Sequence, residues 1–182
     1  MTNLSSQAKV VIVGKDEAGK STLVQNIIPT AMNIERKGRT IALDYGNKEH
    51  KGFKLHLFGT PGQTRFRIVR EVVARGMDIA VWVLDYSRRF DERDQDILDF
   101  LNEAKVPFIV FANIKPGVQK ERRKVTRLIG EPEGLKGIVI GSAKSGFRVT
   151  ELLDEIVKVL SSIERPNHRW DKLAESSSES AS

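Results

Sequence analysis

The stretch Gly14-Lys15-Asp16-Glu17-Ala18-Gly19-Lys20-Ser21 decides the fold. Two glycines at this separation, followed at once by Lys and Ser, are the pattern of a loop whose backbone N–H groups surround a phosphate. The neighbouring residues agree. Ala8 to Val13 contains Val10-Val11-Ile12-Val13, apolar at every position as in a strand buried on both faces. After Ser21, the residues Leu23, Ile27 and Ile28 mark a helix that Pro29 should end. A buried strand, a glycine-rich turn and a helix start, in that order, direct amide N–H groups and the positive helix end at one point. Lys20 is expected to reach the β and γ phosphates of a nucleotide. The Ser21 hydroxyl is expected to ligate Mg²⁺, a small ion that prefers oxygen ligands. Gly14, Lys15, Asp16, Glu17, Ala18, Gly19, Lys20, Ser21 and Thr22 form the expected binding loop, with the carboxylates of Asp16 and Glu17 turned away from the phosphates.

Outward from this loop, short apolar runs alternate with helical patterns, the arrangement of a mostly parallel sheet covered by helices on both faces. Thr30 to Arg39 reads as irregular. Thr40 to Tyr45 and Lys54 to Phe58 read as two strands joined across Gly46-Asn47, an antiparallel hairpin at one edge of the sheet. Helical spacing follows in Phe66, Val69, Val72 and Val73, then a strand at 78–84, a helix at 91–104 and a strand at 108–112. A basic helix around 119–129, a strand at 137–140 and a helix from Thr150 complete the pattern. The expectation is an α/β P-loop NTPase fold with a six-stranded, mostly parallel sheet, one antiparallel edge strand and about five helices. Residues 1–7 read as a flexible N-terminus, 8–163 as one domain and 164–182 as a disordered Ser- and Glu-rich tail.

Composition narrows the chemistry. With 182 residues the chain has room for one α/β domain, and it has no cysteine, which excludes a disulfide scaffold, a thiolate metal site, a cysteine nucleophile and a prenyl or palmitoyl anchor. His50, His56 and His168 have no metal-ligand spacing. The longest apolar run, Ile79 to Leu84, is too short to span a bilayer, and Met1-Thr2-Asn3 opens neither a signal peptide nor a myristoylation site. A cytoplasmic location is expected. The net charge of +6 suggests an anionic partner without naming it.

Four further segments carry a family resemblance: Thr40-Ile41, Phe58-Gly59-Thr60-Pro61-Gly62-Gln63, Asn113-Ile114-Lys115-Pro116 and Gly141-Ser142-Ala143-Lys144. Together with the phosphate loop they resemble a Ras-superfamily small GTPase over residues 8 to 163. Asp16 and Ala18 make the loop similar to the Arf-type branch. The Phe58 to Gln63 wording is similar to a prokaryotic group whose usual partners are roadblock-fold proteins. The resemblance implies a GTP/GDP switch with Mg²⁺ and slow hydrolysis stimulated by an activating protein, with an exchange protein as a further partner. Thr40 would join Ser21 on the metal, although Thr30 offers a second hydroxyl in the same segment. Gly62 would meet the γ phosphate, and Gln63 would orient the attacking water. Asn113, Lys115, Ser142, Ala143 and Lys144 would frame the base, with the Ala143 N–H meeting the base oxygen.

Two positions depart from the family pattern. Gly59 stands where a metal-side aspartate is expected, which removes a carboxylate that holds an Mg²⁺-bound water. Pro116 stands where an aspartate would accept two hydrogen bonds from guanine, which weakens base discrimination. Guanine remains favoured. These losses keep a second reading open: a non-hydrolysing pseudo-GTPase with relaxed base choice. A small-molecule phosphotransferase would need an arginine-bearing lid, for which no insertion is long enough. Gln63 could be an ordinary exposed residue, and Arg65, Arg67 and Arg70 a solvated face. Lys120, Arg122, Arg123, Lys124 and Arg127 crowd one helix. Without interleaved aromatics they read as a solvated basic face, so no nucleic acid is expected; peripheral membrane association through this face stays open. His56 reads as structural, and Trp82 and Phe111 as core.

Overall fold

A computed structural model describes residues 6–36, 39–60, 75–115 and 121–163. The helix expected at 66–73, the residues Gly62, Gln63 and Pro116, and the tail from 164 lie outside the described residues. The elements run β1 (Ser6–Val13), α1 (Lys20–Ile27), β2 (Met32–Arg36), β3 (Arg39–His50), β4 (Phe53–Gly59), β5 (Ile79–Asp85), α2 (Glu92–Ala104), β6 (Phe108–Asn113), α3 (Arg122–Ile129), β7 (Leu135–Gly141) and α4 (Val149–Ser162).

The strands form one sheet in the order β2-β3-β4-β1-β5-β6-β7. From β4 to β7 every neighbouring pair is parallel, whereas β3 runs antiparallel to both β2 and β4. Strand β1 is the turning point: the chain first crosses to the far edge and builds inward through β2, β3 and β4, and then passes to the other side of β1 and builds outward through β5, β6 and β7. A crevice outside the carboxyl end of such a strand is where open α/β sheets bind ligands. The phosphate loop leaves β1 at that end.

Alternation along β1 explains the two cores. Val10 and Ile12 pack with Leu23 and Val24 of α1 and with Leu152 and Ile156 of α4. Val11 and Val13 face the other way, against Trp82, Leu98 and Leu101 of α2, and Val125 of α3. Both layers are therefore needed before β1 is dry. Trp82 and Phe111 are fully buried, as expected. His56 is structural too, with Nε2 2.7 Å from Gln7 Oε1 and Nδ1 3.2 Å from the Tyr45 hydroxyl.

Two local expectations change. The hairpin does not turn at Gly46-Asn47: those residues sit inside the ladder, opposite Leu57 and His56, and the turn is Lys51-Gly52. Lys51 and Gly52 both have positive φ, 44° and 81°, the handedness that matches the twist of a two-residue hairpin. Gly46 is a glycine for a packing reason, because a Cβ there would lie 2.8 Å from Ile28 Cγ2. The stretch expected to be irregular contains a seventh strand, β2, which pairs with β3 through register shifts around Ile34. The antiparallel strand β3 is thus covered on its outer side. Four of the five expected helices are present among the described residues.

Candidate functional site

The phosphate loop is held in shape by its own backbone and by four attachments to the scaffold. Gly19 has φ 106° and precedes α1 directly, so the chain turns into the helix through a conformation that glycine adopts without strain. A Cβ at Gly19 would also fall 2.3 Å from Asn113 Nδ2. Gly14 is constrained from the other side, since a Cβ there would lie 2.7 Å from the Val83 carbonyl oxygen. Within the loop the Ala18 N–H donates to the Lys15 carbonyl at 3.2 Å.

Lys20 is 6% exposed, and its ammonium donates to the carbonyls of Gly14 at 2.7 Å and Lys15 at 2.8 Å. Those two bonds place its charge under the loop's concave side. Burial pulls its pKa down to about 8, against the opposing pull of the Asp16 and Asp44 carboxylates. An anion delivered to this ammonium would replace the missing counter-charge. Ser21 and Thr22 follow in the first turn of α1 with exposed side chains.

The remaining loop side chains are attachments. The Lys15 side chain enters the interior behind the loop, where Nζ lies 2.5 Å from Asp94 Oδ2 and donates to the Arg89 carbonyl at 3.1 Å. Its role in binding is left to its backbone. Glu17, at φ 60°, turns outward as expected and accepts from Arg88 at 2.6 Å; this contact holds its carboxyl below the usual range. Arg88 is in turn paired with Asp85 at the end of β5, 3.2 Å away. Asp16 is half-buried.

Asn113, at the end of β6, joins the phosphate loop to the loop after β7. Its Nδ2 donates to the Ala18 carbonyl at 2.9 Å, and its Oδ1 accepts from the Ala143 N–H at 3.0 Å. The Ala143 N–H expected to meet the base is therefore committed to Asn113. Ser142 shapes that loop: its N–H donates to the Phe147 carbonyl at 3.0 Å, and its hydroxyl accepts from the Ser145 N–H at 3.2 Å. Lys115 and Lys144 are exposed beside this bridge. Thr40 pairs through its backbone with Glu35 in the β2–β3 ladder. Gly62 and Gln63 fall outside the described residues.

Residues that pattern reading missed lie around the loop. Asp94 belongs to a capping box: Asp91 caps the first turn of α2, and Asp94 returns its carboxylate to the Asp91 N–H at 3.0 Å while holding Lys15. Its spacing from Asp91 announces the cap but not the lysine. Asp44 interrupts an otherwise apolar run, Ile41-Ala42-Leu43 before it and Tyr45 after it. It is 6% exposed, and its Oδ2 has no hydrogen-bond partner among the described residues. That acidic residue in a strand was the available signal.

Comparison with known proteins agrees with this geometry. Residues 9–114 match the family model described as 50S ribosome-binding GTPase. An uncharacterised protein of Methanocaldococcus jannaschii is 41% identical over 107 residues, which cover 59% of this chain and 70% of that protein. GTPase Der of Brucella anthropi is 28% identical over 175 residues, covering 82% of this chain and 35% of Der. Among solved structures, the translation elongation factor SelB of Methanococcus maripaludis, in complex with a GTP analogue, superposes with a TM-score of 0.72 at 21% identity, over 88% of this chain and 35% of that one. The G domain of the T. maritima FeoB iron transporter gives 0.68 at 22% identity, over 84% of this chain and 98% of that domain. The chain thus spans about a third of Der and of SelB, and nearly the whole of an isolated G domain. With the phosphate loop at the turning point of the sheet and the match over residues 9–114, the chain belongs to the P-loop GTPases of the 50S ribosome-binding GTPase family.

Proposed function

We propose that the chain binds GTP and GDP together with Mg²⁺, hydrolyses GTP slowly by itself, and acts as a molecular switch whose hydrolysis a partner protein stimulates. The observation that carries the reading is Lys20, a buried ammonium whose only described hydrogen bonds are to loop carbonyls, inside a cradle of backbone N–H groups at a helix start. The residues fit the metal as well. The Ser21 hydroxyl is exposed at the start of α1, and the Asp44 carboxylate, whose charge acts on the adjoining Lys20, has an oxygen without a partner among the described residues; both are the hard oxygen donors that Mg²⁺ takes. Bound Mg²⁺ would neutralise charge on the β and γ phosphates. The chain's own residues bind and orient: Lys20 places a positive charge on the phosphates, the loop amides fix their position, and Asn113 keeps the base-side loop in register with the phosphate side. Gln63 would orient the attacking water, and Thr40 and Gly62 would follow the γ phosphate, so that hydrolysis releases both segments and changes the surface shown to a partner. The likeness to the Ras superfamily supports this switch reading, through Thr40-Ile41, through Asp16 and Ala18 for the Arf-type branch, and through Phe58 to Gln63 for the prokaryotic group.

The second reading, a nucleotide-binding module that does not hydrolyse, is favoured by Gly59, which carries no carboxylate. Multiple-turnover phosphate release from GTP, compared with a Gln63→Leu variant, separates the two. Release that the variant reduces by about a hundred-fold or more, the low end for a positioned catalytic group, supports the GTPase switch. Equal, background-level release from both proteins would sink it. Competition between GDP and ADP for the same site reads the base preference directly.

A further inference from the structure

Asp44 sits in strand β3 directly beside Gly59, the last residue of β4. A Cβ at Gly59 would lie 3.4 Å from both Cβ and Oδ2 of Asp44. The neighbouring pair in the ladder, Tyr45 and Phe58, fixes this juxtaposition through the antiparallel register. The carboxylate is 6% exposed, its Oδ2 is buried without a hydrogen-bond partner among the described residues, and its charge acts on Lys20 at the start of α1. A carboxylate stripped of water and left with an unsatisfied lone pair is strongly unfavourable unless a cation or a proton completes it. Lys20 does not complete it, because its hydrogen bonds go to the carbonyls of Gly14 and Lys15. The next residue after Lys20 is Ser21, the hydroxyl expected to hold a divalent ion.

We propose that Asp44 supplies, from β3, the carboxylate of the divalent-cation site, in the space left open by the absence of a side chain at Gly59. The inference rests on the reading of the chain as an Mg²⁺–nucleotide binder and deepens it. It accounts for two facts at once. The buried carboxylate gains its missing partner, an ion of the hard, oxygen-seeking kind. Position 59 carries no acidic group, although a Cβ there would meet Asp44 only in ordinary contact at 3.4 Å, because a second carboxylate would set an anion against the first. The carboxylate of this site has moved across one strand pair, from the end of β4 to the adjacent strand.

The test uses the full chain loaded with fluorescent GDP, and it follows dissociation of the nucleotide as free Mg²⁺ is varied, alongside Mn²⁺ binding to the GDP complex by electron paramagnetic resonance. For the Asp44→Asn variant the Mg²⁺ concentration that gives half-maximal retention should rise about 10- to 100-fold, as when a group that orients a metal shell is removed, and Mn²⁺ affinity should fall in parallel. GDP affinity in EDTA should stay within about two-fold of the unaltered chain, because the effect acts through the ion. A double variant, Asp44→Ala with Gly59→Asp, should recover most of the loss by returning a carboxylate to the same space. The proposal is overturned if Asp44→Asn leaves the Mg²⁺ midpoint unmoved, or if it weakens GDP equally with and without Mg²⁺, since Asp44 would then serve only the charge of Lys20. An unaltered chain that binds GDP indifferently to Mg²⁺ overturns it as well, and one that binds no GDP overturns the nucleotide reading itself.

Discussion

Nucleotide binding should draw a proton from solution, and the amount follows from Lys20. In the ligand-free protein burial holds the Lys20 pKa at about 8. Phosphate oxygens brought against the ammonium favour its charged form and should return it above about 10, near the ordinary lysine value. At pH 8 about half of the free molecules carry a neutral lysine and at pH 9 about nine-tenths, so GDP binding should take up about 0.5 and 0.9 proton respectively. At pH 7 the uptake should fall to about 0.1, and the same linkage makes GDP affinity about ten-fold weaker at pH 9 than at pH 7, about 1.4 kcal/mol. The terminal phosphate of GDP ionises near pH 6 and is out of the way above pH 8, as for other phosphate monoesters. Calorimetry in buffers of different ionisation enthalpy counts the protons. A Lys20→Arg variant, whose guanidinium stays protonated throughout, should take up none in whatever binding survives. Flat affinity and no uptake between pH 7 and 9 would refute the reasoning, and so would uptake that persists in the arginine variant. The free protein should show the other side of the same linkage. Between pH 8 and 10.5 the unfolded chain holds a proton that the folded lysine has released, so stability should rise with pH across that window, by up to about 3 kcal/mol.

Three further outcomes are expected. Gly19→Ala places a side chain at φ 106° and 2.3 Å from Asn113 Nδ2, so it should cost about 1–3 kcal/mol in thermal or urea unfolding and abolish GDP binding; unchanged binding would show that the loop tolerates a different path. Asp94→Asn leaves Lys15 buried opposite a neutral amide and should lose about 3–5 kcal/mol in urea denaturation, whereas replacing both partners by apolar residues, Lys15→Met with Asp94→Leu, should recover much of it; a double variant as unstable as the single would mean that the cap of α2 carries the effect. Asn113→Ala orphans the Ala18 carbonyl and the Ala143 N–H together, and should lower both stability, by about 1–3 kcal/mol, and GDP affinity, measured by the same titration; loss of stability alone would show that the bridge is structural only.

The parts of the molecule legible in the sequence are those whose physics is local. A strand apolar at every position, a glycine-rich turn and a helix start stand within one continuous stretch, so β1, the loop and α1 could be read directly. The buried runs at Ile79 to Leu84 and Phe108 to Ala112 gave β5 and β6 within a residue or two. Gly46-Asn47 misled because the dipeptide has turn chemistry, and nothing local shows that Ile28, 18 residues earlier, lies against it. The strand β2 alternates only briefly, Met32-Asn33-Ile34-Glu35, too short a pattern to stand out, and it is held by the edge that β3 offers. The attachments of the loop are illegible for the same reason: Lys15 meets Asp94 across a separation of 79 residues and Asn113 meets Ala18 across 95, pairings that the sheet order alone brings about. Asp44 is the intermediate case, a charged residue in an apolar run that the sequence marks as unusual but does not explain.

The attachments of the phosphate loop have a kinetic consequence. Lys15 is fastened to α2, Glu17 to the segment after β5 and Ala18 to β6, while Lys20 closes the loop on its own carbonyls, so the cradle is tied to three different elements around it and to itself. A receptor already in its bound shape spends little free energy on ordering when the ligand arrives. Phosphate capture should then proceed at a rate set by encounter rather than by folding of the loop, with little change in amide protection along residues 14–20. Any slow step in the nucleotide cycle should then lie elsewhere in the chain, and a factor that speeds release could act there, on the divalent ion, or by breaking one of these fastenings.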